Sequence, residues 1–128
     1  KLFLSDVGLL TAMCNLPAQT MIKGNELFLQ FKGALTEQFV MQQLLAMEMD
    51  KITYWTNERS TNEVDFVIQN NGQVIAIEVK AETNTRAKSF RFFYEKFKPT
   101  QAYRLSLKDH KEEKYFTNIP LFAVEYVI

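Results

Sequence analysis

Asp65, Glu78 and Lys80 fall inside two neighbouring apolar runs, where an ionisable side chain needs a reason to be. Two carboxylates with a lysine form a set that can hold a hard divalent ion through oxygen and place a point cation beside a phosphate. Glu37 is a fourth residue of this kind. It lies three or four positions from Gly33, Ala34, Val40 and Met41, so a helix there would set it in an apolar stripe. An isolated charge in such a stripe is very costly, so Glu37 needs a partner. Either it pairs with a lysine or sits at the helix edge, or it joins the other acids in one site.

Spacing relates these residues to one another. Residues 63–69 (EVDFVIQ) and 73–81 (QVIAIEVKA) flank Asn70-Asn71-Gly72. Asn-Gly between β-branched runs predicts a hairpin with a two-residue turn, because both central residues must adopt positive φ. Asn70 then faces Gln73, and paired residues have numbers that sum to 143. Asp65 comes opposite Glu78 and Glu63 opposite Lys80. Strict alternation puts Asp65, Glu78 and Lys80 on one face, with Phe66, Ile68, Ile77 and Val79 on the other. Adjacent carboxylates repel unless a proton or a cation lies between them, so the pattern asks for a metal. The competing reading of Lys80 is a cross-strand pair with Glu63, worth little at a surface.

The elements needed to position this set are also predicted. Residues 1–4 suit a short strand, and Asp6 suits the cap of a short helix through Val7, Leu9, Leu10 and Met13. Residues 18–30 are ambiguous. A helix is expected over 31–49, a strand over 52–56, the hairpin, a helix over 86–98 with Phe90, Phe93, Tyr94 and Phe97 inward, and a strand over 101–107. A strand–helix–strand unit of this length is a crossover, so 101–107 should run parallel to 73–81. Residues 114–117 suit a short edge strand, and 120–127 lean towards helix because Pro120 opens them. Tyr54 and Trp55 could stack on a base, although a single aromatic pair is more often core.

The 128 residues make one domain, 47% hydrophobic, with a single cysteine and therefore no internal disulfide, so a reducing cytoplasm is expected. No apolar run is long enough to span a membrane, so no membrane partner is expected. The net charge is zero, but residues 1–79 carry 5 basic and 9 acidic side chains and residues 80–114 carry 10 and 5. A basic segment beside an acidic pocket suits a polyanion such as DNA, or simply a solvated lysine-rich helix face. The lone His110 lies in a charged loop and is expected to be exposed.

The order helix with Glu37, three antiparallel strands with Asp65 and Glu78-Val79-Lys80, helix, parallel strand resembles the αβββαβ core of the PD-(D/E)XK nuclease superfamily. A closer resemblance rests on Leu4-Ser5-Asp6-Val7-Gly8-Leu9-Leu10, Gly33-Ala34-Leu35-Thr36-Glu37-Gln38-Phe39-Val40, Glu63-Val64-Asp65-Phe66-Val67-Ile68, Ile77-Glu78-Val79-Lys80 and Ile119-Pro120-Leu121. These segments resemble the C-terminal domain of a family of bacterial and archaeal AAA+ ATPases. The resemblance implies a restriction-endonuclease-like α/β fold, a mixed central sheet flanked by helices. It also implies that 1–128 is the nuclease-like C-terminal piece of a longer chain whose ATPase and winged-helix modules come first. That fits the lack of a phosphate loop, and so of a nucleotide site. By the same resemblance Asp65, Glu78, the Val79 carbonyl and Glu37 would hold Mg²⁺ or Mn²⁺, and Lys80 would serve cleavage of DNA. The alternative is a nuclease-fold domain that does not cut and instead docks the ATPase to DNA or to a protein.

Overall fold

The computed structural model describes residues 1–23, 26–49, 51–59, 61–81 and 88–128. Asp6 caps α1 (Val7–Met13) as its short side chain predicts, its Oδ1 accepting from the Leu9 amide at 2.8 Å. Helix α2 (Ala18–Lys23) resolves part of the ambiguous stretch, and α3 (Glu26–Ala46) starts before the expected helix and ends sooner. Strands β1 (Ile52–Thr56), β2 (Glu63–Asn70) and β3 (Gln73–Lys80) follow. Then come α4 (Lys88–Phe97), β4 (Gln101–Ser106), β5 (Lys111–Glu112), β6 (Thr117–Pro120) and a 3-10 helix (Leu121–Val127). The expected start of α4 at Arg86, and the turn over 82–86, lie outside the described residues.

The strands form one mixed sheet in the order β1-β2-β3-β4-β6-β5. Asn71 and Gly72 both have positive φ (48° and 78°), and the β2–β3 partners run from Asn70–Gln73 to Phe66–Ile77 in the expected register. The crossover through α4 makes β4 parallel to β3, and β6 is parallel to β4. Two expectations fail. The edge strand is β5 at Lys111–Glu112, because residues 113–116 turn the chain so that the Glu113 amide meets the Phe116 carbonyl at 2.9 Å. Residues 1–4 form no strand; instead the Gln38 amide supplies what a strand partner would, donating to the Leu4 carbonyl at 2.8 Å and accepting its N–H at 2.9 Å.

Two apolar layers cover the sheet, so this is an α/β protein with helices on both faces. Phe66, Ile68, Ile75, Ile77, Val79 and Leu105 pack against Val40 and Leu44 of α3 and against the 3-10 helix. On the other face Val64, Ala76 and Ala102 meet Phe90 and Phe93 of α4. Val64 and Val67 belong to the same layer although they are three residues apart. The cause is a β-bulge. Trp55 pairs with Val64 and Thr53 with Val67, so Asp65 and Phe66 together oppose Tyr54 alone. One extra residue on β2 reverses the parity of everything before it.

Phe66 is 1% exposed and its ring lies 5.7 Å from that of Phe3. Phe66→Ala should cost about 3–5 kcal/mol through lost burial and a residual cavity. Urea titration followed by circular dichroism should show a lower midpoint with an unchanged slope; a loss below about 1 kcal/mol would mean that this layer collapses freely around the gap.

Candidate functional site: two charged clusters on opposite sides of the sheet

The first cluster gathers around Lys1. Gln38 holds Leu4, and the Gln42 side chain accepts from the Val7 amide at 3.1 Å, so the N-terminal segment lies along α3. This carries the Lys1 ammonium to Glu37 Oε2 of α3 (3.0 Å), to Asp65 Oδ1 of β2 (2.8 Å) and to the Glu63 carboxylate. The remaining oxygen of Asp65, Oδ2, accepts from the Val79 amide at 2.8 Å. Asp65 thus replaces a backbone partner where the β2–β3 pairing stops. A cavity of about 660 Å³ opens beside the cluster, between the N-terminal segment and α3.

Burial pushes the Glu37 carboxyl above its ordinary value, the charge of Asp65 adds to this, and the hydrogen bond from Lys1 pulls against both. For Lys1 burial works to lower the pKa, but the hydrogen bonds to Asp65 and Glu63 outweigh it and the ammonium is held well above its ordinary range. The three carboxylates therefore meet a cation in the structure, and that cation belongs to the protein.

The second cluster lies at the end of β3 on the α4 side. Glu78 is 3% exposed and directly opposite Arg104 in the parallel β3–β4 ladder. Arg104 donates from Nε (3.0 Å) and Nη2 (2.9 Å), both to Glu78 Oε2. Lys80 Nζ stands 3.3 Å from Oε1. The Arg104 guanidinium also lies 4.0 Å over the Phe116 ring, so its own burial is compensated on two sides. Nearby, Ser106 Oγ donates to Asn118 Oδ1 at 2.7 Å, and the Asn118 amide reaches the Lys108 and Asp109 carbonyls. That anchors the loop between β4 and β5.

The four residues singled out from sequence are thus brought together in pairs. Glu37 meets Asp65, as expected, with Val40 and Leu44 buried on the same helix. Glu78 meets Lys80. The expectation that Asp65, Glu78 and Lys80 share a face is corrected. Because of the bulge, Asp65 turns with Phe66 towards α3, whereas Glu78 and Lys80 turn with Arg104 towards α4. The pairing of Lys80 with Glu63 is also corrected, since Glu63 is taken by Lys1. Among the described residues no group of three or more His, Cys, Asp or Glu side chains is placed to hold a metal ion. The oxygen donors of Glu37 and Asp65 suit Mg²⁺ by type, but Glu78 is committed to Arg104, so the expected set is not assembled. His110 is exposed.

Sequence reasoning missed Arg104, Lys1 and Gln38. Arg104 had a signal: it is the one charged residue of the QAYRLSL strand, and the parallel register would have set it opposite Glu78. Lys1 had none, because its place depends on how Gln38 and Gln42 dock the segment.

Residues 32–124 match the model of a family described as a domain of unknown function (DUF4143), and the chain belongs to that family. Glu37, Asp65, Glu78, Lys80 and Arg104 all fall inside the matched stretch; Lys1 does not. No curated protein and no solved structure matches the chain.

Glu78→Ala should destabilise the fold by about 3–5 kcal/mol, because it leaves Arg104 buried without its carboxylate. Replacing both residues by apolar ones, Glu78→Leu with Arg104→Met, should recover most of that loss. Urea midpoints of the single and double variants test this, and an additive result would mean that the pair is not coupled.

Glu37 titrates with the opposite sign to a salt-bridged acid. Its folded pKa lies above the unfolded value of about 4.3, so no penalty exists below that pH and stability falls as pH rises through the folded pKa. Glu37→Gln lacks this fall and should gain on the wild type over the pH range that begins at about 4.3. Denaturation curves across that range that stay parallel for the two proteins would show that Glu37 is not raised.

Proposed function

We propose that this domain docks to DNA on a nuclease-like framework without cutting it. The observation that carries this reading is the state of Glu78. Its oxygens are occupied by Arg104 and Lys80, it is almost fully buried, and it lies on the other side of the sheet from Asp65. Freeing it to serve a phosphate-bound ion would break a buried, hydrogen-bonded ion pair at a cost of about 3–5 kcal/mol. The order of helices and strands, with the crossover to a parallel β4, matches what the resemblance to PD-(D/E)XK nucleases implies, and it supports a shared framework. The basic excess over residues 80–114 supports a polyanionic partner. Within a longer chain the domain would bring the AAA+ ATPase and winged-helix modules to DNA.

A second reading is favoured by a different observation. Glu37 and Asp65, from different elements, converge on one cation. On that reading the domain is a Mg²⁺-dependent nuclease, the ion supplying polarisation of the scissile phosphate and a more acidic bound water. Glu37 and Asp65 would be its first holders, and Glu78 with Lys80 would have to leave Arg104 to join them.

The two readings separate in one experiment with supercoiled plasmid and linear duplex. Docking predicts retarded DNA in a gel at low salt, no nicking with millimolar Mg²⁺ or Mn²⁺, and a melting temperature that does not respond to metal. Cleavage that disappears in Asp65→Asn, with a metal-dependent rise in melting temperature in the wild type alone, would overturn docking in favour of the nuclease.

A further inference from the structure

Helix α4 buries Phe90 and Phe93 completely or nearly so, which is what a covering helix is expected to do. Its other aromatic residues behave differently. Phe92 and Phe97 remain 43% and 47% exposed. Phe97 had been expected to point inward. Trp55 joins the set: its ring stacks on Phe92 at 6.1 Å (interplanar 25°) and meets Phe97 edge-on at 5.5 Å. The result is a cluster of rings between α4 and the outermost strand β1, in which Phe92 and Phe97 reach solvent.

Basic side chains are interleaved with these rings. The Lys96 ammonium stands 5.1 Å from the Phe97 ring centre and 6.0 Å from that of Phe92. Trp55 lies on the rim of two concavities. One, of about 590 Å³, also holds Asn57, Arg59 and Lys96. The other, of about 410 Å³, holds Tyr54, Phe97 and Lys98. Among the described residues Arg59, Lys96 and Lys98 enter no ion pair, whereas Glu95 on the same helix is neutralised by Arg91 at 2.9 Å. Glu58 is the acid that remains in the first concavity. The local field is therefore positive, and its charges are available.

We infer that this face, built from Trp55, Phe92, Phe97, Arg59, Lys96 and Lys98, binds single-stranded nucleic acid. Every base has a face that can stack on an aromatic ring, and the phosphates between bases call for cations at intervals, which is the arrangement of rings and lysines seen here. A duplex would not use it, because its bases are already stacked on each other. The inference goes beyond the docking reading by adding a separate surface for single strands, and it is independent of the Glu37–Asp65 and Glu78–Arg104 clusters.

The chain has a single tryptophan, Trp55, so its fluorescence reports on this surface alone. Titration with oligo-dT or oligo-U of about fifteen nucleotides, within the usual site size of about 4–16 per binding unit, should quench it, the two arms separating DNA from RNA. Phe97→Ala and Phe92→Ala, both at partly exposed positions, should each weaken binding about tenfold. Lys96→Glu should weaken it and reduce the dependence of log K on log salt by at least about 0.7, the value for one lost phosphate contact on a single strand. Phe122→Ala, at an 85% exposed position of the 3-10 helix that packs on the α3-side layer, should bind as the wild type does. Thermal melts of each variant confirm that the fold is kept. No quenching by either oligonucleotide overturns the inference, as does quenching that rises with the concentration of the chain itself, which would make the face a contact between copies. Quenching that Phe97→Ala, Phe92→Ala and Lys96→Glu leave unchanged also overturns it. Because a duplex does not use this face, its retardation in the gel should persist in these three variants, so failure of this surface and failure of docking to duplex DNA are read separately.

Discussion

The arrangement of the charged residues depends on the pairing of Glu78 with Arg104. Both side chains come from central strands, both are nearly free of solvent, and each would be prohibitively costly there without the other. The pair sits in register across the parallel β3–β4 ladder, so it favours one alignment of the two strands joined by the α4 crossover. A shift of one residue would set Glu78 against an apolar neighbour. Phe116, Lys80 and the Ser106–Asn118 hydrogen bond then complete a polar seam on that side of the sheet. The same commitment removes Glu78 from Asp65, and so it divides what could have been one acidic site into two.

On the α3 side, the polar residues of a helix that is otherwise core-facing are used to hold chain rather than ligand. Gln38 is 2% exposed and supplies both a donor and an acceptor to Leu4, and Gln42 accepts from Val7. These contacts satisfy backbone groups of a segment that has no strand partner, and they deliver Lys1 to the acids. Glu37 therefore has the lysine partner that was one of its two readings from sequence. The burial that raises its pKa and the ammonium that lowers it are consequences of the same docking.

The bulge at Asp65–Phe66 connects these two sides. It leaves the hairpin register from Phe66 to Asn70 intact while turning the residues before it to the opposite face. Asp65 then uses one oxygen to cap the Val79 amide, where the ladder has opened, and the other to meet Lys1. A single inserted residue thereby changes which charges can meet.

The sequence by itself determined most of the local elements, the β2–β3 hairpin register and the parallel β3–β4 pairing. Asn71-Gly72 specified the hairpin and its register because few residues tolerate two successive positive φ values. Asp6 marked a helix start because a short carboxylate can reach a free amide. The length between β3 and β4 required a parallel crossover, and α/β layering followed from the apolar runs. The acids and Lys80 were conspicuous because charge within an apolar run must be compensated. What compensates them was decided only by the tertiary structure. Arg104 reaches Glu78, and Lys1 reaches Glu37, through contacts between segments distant in the chain, and no local spacing encodes those distances. The bulge was equally invisible, because β1 chooses where β2 accommodates its extra residue, and alternation read along one strand cannot register a change imposed by its neighbour.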